Sequence, residues 1–149
     1  MRCNAGISPE HMADQHLCEA SELKMVPGTI KKRLKFNITK PIPDKFCLNG
    51  GHISFFYDKL HYLRLRHGHV FKECIARGRK CQSLFYDLSD FPDNLINDWH
   101  PTLDDSRIVR TRMVKRLFQK PKFYRYKGEP IDDMEDFCSR IMLSPLYTK

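Results

Sequence analysis

The chain has no run of eighteen apolar residues, which excludes a membrane-spanning helix. Its opening, MRCNAGISPE, lacks the apolar centre of a signal peptide, so a reducing, cytoplasmic setting is expected, with the six cysteines as thiols. Those cysteines form no CxxC pair, and their positions (3, 18, 47, 74, 81 and 138) match no zinc framework. His61, His67, His69 and Cys74 invite a metal reading, but helical periodicity already accounts for most of their segment. Internal repeats, low-complexity tracts and a phosphate-cradling glycine loop are all missing. Period-two alternation is scarce, so a mainly α fold is expected. Acid is also in short supply: 18 Asp and Glu stand against 26 Lys and Arg, a net charge of +8. A small intracellular domain with that excess is expected to meet a polyanion, above all nucleic acid.

What is present centres on residues 51–77. Ile53, Phe56, Leu60, Leu63, Val70 and Cys74 recur at three- and four-residue spacing, with His67 out of character, and so share one helix face. Phe55 and Tyr62 lie on a second strip that Leu65 and Phe71 broaden, which predicts a core helix packed between others. Lys59, Arg64, Arg66, Lys72 and Arg77 form its wet side, opposed only by Asp58 and Glu73. At 149 residues one domain is expected.

The remaining segments arrange themselves around that helix. Residues 1–7 read as an irregular arm, and Ser8-Pro9-Glu10 as a helix start. Residues 12–23 read as helix with Met12, Ala13, Leu17 and Ala20 facing inward. After Pro27-Gly28 the run 29–36 carries Lys31, Lys32, Arg33 and Lys35 with no acid among them. Residues 37–51 form a loop. Residues 79–103 are expected to be a long ordered loop with short helical turns at most. Asp104-Asp105-Ser106 then opens a helix whose apolar side is Ile108, Val109, Met113 and Leu117. Its basic side is Arg107, Arg110, Arg112, Lys115 and Arg116. In residues 120–131 Phe123, Tyr124 and Tyr126 interleave with Lys122, Arg125 and Lys127, a pattern suited to base stacking with phosphate contact. The tail, 132–149, reads as one more amphipathic helix, with Phe137, Cys138, Ile141 and Met142, packed on the body formed by 1–131. The expected fold class is therefore all-α: a compact single domain of about three principal helices, long irregular loops and a C-terminal helical tail.

Taken together, several stretches resemble the phage endonuclease V family of pyrimidine-dimer DNA glycosylases. They are Arg2 and Asn4; ADQHL at 13–17; Glu22-Leu23; Pro43, Phe46 and Leu48 before Gly51-His52; and FFYDKL at 55–60 with Leu63, Arg64 and Arg66. Glu73-Cys74, Arg77-Gly78, Asp87, Ser89-Asp90, Pro92, Pro121, Tyr124, Tyr126 and Gly128 continue the set in order to about residue 131. The resemblance implies a virus-encoded, compact, monomeric enzyme without metal or cofactor that acts on double-stranded DNA carrying a damaged base or an abasic site. It implies that the α-amine at the chain's start, here that of Met1, attacks C1′ of the damaged nucleotide, with Glu22 moving protons. An α-amine is suited to this because its pKa is about 7.7–8.0. The family's threonine follows a removed methionine; Arg2 is too large for that removal, so Met1 is expected to stay. By position Arg2, Lys32, Arg112 and Arg116 would hold a bent duplex, with Gln15 and His16 beside the opened strand. Lys24, Arg33, Arg64 and Arg66 are expected to extend the DNA-binding surface, with Phe123 and Tyr124 stacking on bases. Ser21 stands where the family has arginine, and Phe123 where it has tryptophan. Two alternatives stay open: a noncatalytic nucleic-acid-binding homologue, and a strand-cleaving enzyme on another nucleic acid.

Overall fold

The apolar stripe expected on a single helix over residues 51–77 is carried by two. In a computed structural model that describes residues 2–80 and 84–149, the helices in chain order are α1 (Glu19–Leu23), α2 (Met25–Gly28), α3 (His52–Phe55), α4 (Leu60–Ala76), α5 (Leu103–Gln119) and α6 (Met134–Leu143). None of them is long and apolar enough to cross a membrane. Residues 56–59 interrupt the stripe, and the cause lies in Phe55 and Phe56. Neighbours on a helix point about 100° apart, yet both rings are buried, in an aromatic cluster with Phe46, Tyr62 and Trp99. Breaking the helix lets both enter. The Lys59 ammonium then donates to the Phe55 carbonyl at 2.9 Å, satisfying an oxygen that the short helix leaves open. Tyr62 N–H, in the first turn of α4, donates to Asn97 O.

Beyond the break, α4 buries Leu60, Tyr62, Leu63, Val70 and Cys74 as its spacing predicts, while Leu65 is exposed. The expected helix start at Ser8-Pro9-Glu10 is a 3₁₀ turn, Pro9–His11, and the expected helix over 12–23 forms as a second, Asp14–Cys18, followed by α1. Met12, Ala13, Leu17 and Ala20 are buried regardless. The basic run after Gly28 is a π-helical turn, Thr29–Arg33. Arg77, at the end of α4, fastens the first of these segments: its guanidinium donates to the carbonyls of Pro9, Glu10 and Met12 and to Asp14 Oδ1.

Helix α5 starts on a reciprocal capping box, in which Thr102 Oγ1 accepts from Asp105 N–H and Asp105 Oδ2 from Thr102 N–H. After it, β1 (Arg125–Tyr126) and β2 (Glu129–Pro130) pair antiparallel across Lys127 and Gly128, both at positive φ. The fold is mainly helical, as expected, with this one small two-stranded sheet added. Asp14 holds the turn by accepting from Lys127 N–H and Gly128 N–H. Helix α6, capped by Asp133, buries Phe137, Cys138 and Ile141 and packs on α5. Arg110 of α5 is buried too, and donates to the carbonyls of Ile141, Met142, Ser144, Pro145 and Gly6. Cys3, Cys18, Cys47 and Cys138 are free thiols.

Candidate functional site

The N-terminal arm, expected to be irregular, is pinned through three successive backbone N–H groups. Arg2 N–H donates to Glu22 Oε2 at 2.7 Å, and Cys3 N–H to His52 Nε2 at 3.1 Å. Asn4 N–H donates to Glu19 Oε1 at 3.0 Å, and its side-chain amide to Glu19 Oε2 at 2.9 Å. Glu19 is itself clamped by Arg66, whose Nε and Nη2 donate to the two carboxylate oxygens at 2.9 and 3.1 Å. Arg66 Nη1 also donates to Ile7 O at 2.6 Å. This planar fork-to-carboxylate pairing is fully inside the core, with Arg66 at 0% exposure and Glu19 at 1%. Arg66 therefore does not belong to a DNA-contacting surface: its charge is neutralised 47 residues away in sequence, and its function is to hold the arm's anchor.

The pinned arm forms one wall of a small, partly open cleft. Six of the expected residues meet there: Arg2, Gln15, His16, Glu22, Arg112 and Arg116. The guanidinium of Arg112 donates to Leu48 O at 3.2 Å. Burial, then the charges of Arg116 and Arg2, hold Arg112 below the ordinary arginine value. Three guanidiniums thus crowd one opening, an arrangement that a bound anion would relieve. Glu22 lies among them, half-buried, with its second oxygen 3.6 Å from the Cys18 thiol. Burial, reinforced by Glu22, pushes that thiol up to about 11, so Cys18 stays protonated and donates. His16 packs tilted against Tyr124 with ring centroids 5.0 Å apart, and its Nδ1 has no hydrogen-bond partner among the described residues. Burial pushes His16 down to about 4, so it meets a ligand as a neutral imidazole. Gln15 Oε1 accepts from Arg125 N–H, tying β1 to the cleft.

A second groove opens beside the first and shares Arg2 and Arg116 with it. Phe123 and Tyr124 line it with Gln119 and Lys120. Phe123 is 59% exposed and stands edge-on to buried Tyr124, so Phe123 alone presents a face for stacking and Tyr124 is a packed support. Other expected residues lie elsewhere. Lys24 and Arg33 border a shallow depression with Met25 and Leu84, and Lys32 is exposed on the π-helical turn. Arg64 is exposed on α4, 2.9 Å from His61 Nδ1. Met1, the expected nucleophile, lies outside the described residues.

Cys18 escaped the sequence reading because a lone cysteine carries no motif. The anchoring roles of Glu19 and His52 escaped it because their partners, Arg66 and the arm, are distant in sequence. Glu19 sits four residues before buried Leu23, so helical spacing alone would have placed it inward. No protein-family model matches the chain.

Proposed function

We propose that the cleft binds duplex DNA at a damaged or abasic nucleotide and that the protein is a DNA glycosylase with strand-nicking lyase activity. The single observation that supports this best is the convergence of Arg2, Arg112 and Arg116 around the Glu22 carboxylate, on a wall made by the pinned arm. Guanidiniums suit phosphates, and a carboxylate among them suits a developing positive charge on a sugar. The nitrogen that Glu22 holds is the peptide nitrogen joining Arg2 to residue 1, so an amine on residue 1 is only three bonds from it. The reading's chemistry comes from the family resemblance. The amine's lone pair bonds to C1′, the glycosidic bond breaks, and the base leaves with its electron pair and takes a proton. Loss of the amine proton opens the sugar to a Schiff base; removal of a C2′ proton then expels the 3′ phosphate. Glu22 is the group assigned those proton transfers. A pyrimidine dimer is the substrate the resemblance favours.

The test compares protein carrying a C-terminal tag with protein extended at its N-terminus, each incubated with abasic duplex and borohydride. The unextended form is expected to be trapped covalently on DNA and the extended form to bind without trapping. Equal trapping by both would assign an internal lysine instead. Binding without trapping by either would make the protein a nucleic-acid-binding homologue without the chemistry.

A further inference from the structure

His52 touches the arm but does not line the cleft. It is the first residue of α3 and only 5% exposed. Its Nδ1 lies 2.6 Å from Cys47 O, and its Nε2 lies 3.1 Å from Cys3 N–H. A carbonyl oxygen can only accept and a backbone N–H can only donate, so the two partners define the tautomer: the proton sits on Nδ1 and Nε2 offers a lone pair. A second proton on Nε2 would set two donors against each other, in a site that the rings of Phe46 and Phe56 close with centroids 5.5 Å away.

We propose that His52 is a positioning residue of the cleft, holding the arm through Cys3 N–H as a neutral imidazole and releasing it on protonation. The groups facing it are few. Glu19 from α1 favours the imidazolium and Arg112 from α5 opposes it; the Cys3 and Cys47 residues contribute a backbone donor and a backbone acceptor. Burial is the largest influence and keeps His52 below its ordinary value of about 6.5. A released arm opens Nε2 to water and to a proton, so the released state binds more protons than the held one. The hold is therefore complete above about pH 6.5 and weakens as pH falls below it.

This deepens the glycosylase reading, since Arg2 and residue 1 follow the arm, but the decisive experiment contains no DNA and so fails independently of that reading. Amide-exchange protection of Cys3, corrected for intrinsic rates, is measured on the full chain from pH 5 to 8. Protection is expected to be level above about pH 6.5 and to fall on acidification by at most about tenfold per pH unit, the limit for one proton. His52→Gln, whose amide oxygen reaches toward the Nε2 position, should keep protection and flatten its pH dependence. His52→Leu should lose protection at every pH while the core amides of α4 stay protected. Wild-type protection that does not change from pH 5 to 8 would overturn the proposal, as would a His52→Leu arm as protected as the wild type. Nitrogen NMR of the wild-type imidazole gives a check that needs no variant: the proton must reside on Nδ1 at neutral pH, and the opposite tautomer also overturns the proposal.

Discussion

Glu19 and Glu22 lie one turn apart on the same short helix and have opposite fates. Glu19 is buried, and both of its oxygens are taken by Arg66 and Asn4; Glu22 is half-buried at the cleft and keeps one oxygen for a thiol and one for Arg2 N–H. Only Glu22 is free to serve a ligand. Glu22→Gln retains an oxygen that can accept from Arg2 N–H, so the arm should stay pinned and DNA affinity should hold or rise. Turnover on an abasic duplex, followed as strand nicking, should drop about 10²–10⁴-fold, the usual worth of a proton-transferring group. Full activity in this variant would remove Glu22 from the mechanism. Arg66→Met presents the contrary case. It leaves Glu19 charged and unpaired in the core, which should lower stability by about 3–5 kcal/mol in denaturant titration. Combining it with Glu19→Leu should recover much of that loss, though the arm would remain without its Asn4 anchor.

At the scale of elements, the helix signal was legible where it was simplest. Leu60, Leu63, Val70 and Cys74 are buried as their spacing predicts. The break at 56–59 was hidden because Phe56 and Leu60, four apart, keep helical phase across it. Arg66 read as a surface cation because its partner is remote; yet it lies three residues after Leu63 and four before Val70, on the buried stripe itself. The residue spacing held that signal, and the habit of placing cations outside obscured it. Arg110 follows the same rule, three before Met113 and one turn after Ser106, all buried. Its guanidinium supplies donors to five carbonyls at the junction of α5, the C-terminal segment and the arm. Arg110→Met should destabilise the protein by on the order of 3 kcal/mol. Limited proteolysis should then cut within residues 141–149 well before the wild type is cut. Unchanged cleavage would mean that the apolar face of α6 suffices to dock it.

Across the whole molecule the charge of +8 is unevenly used. Arg66 and Arg77 are paired with Glu19 and Asp14, and Arg110 is spent on internal carbonyls, so the count of 26 Lys and Arg overstates the cations available to a polyanion. Arg2, Arg112 and Arg116 remain at the cleft, with Lys120 beside them. Three phosphates neutralised by those guanidiniums give a log–log salt slope of about −3, and contacts along the flank steepen it. Fluorescence anisotropy on a short duplex between low and physiological salt measures that slope, and a flat response would exclude phosphate binding. The pairing of Gly6 with Tyr147, beside the Arg110 carbonyl cluster, also bears on the order in which the arm is secured. Residues 7–146 lie between the two partners, so translation at about 5–20 residues per second separates their synthesis by on the order of ten seconds. Until Tyr147 is made, Gly6 O is without the N–H that it accepts from in the fold. The arm is thus made early and takes its last backbone bond late.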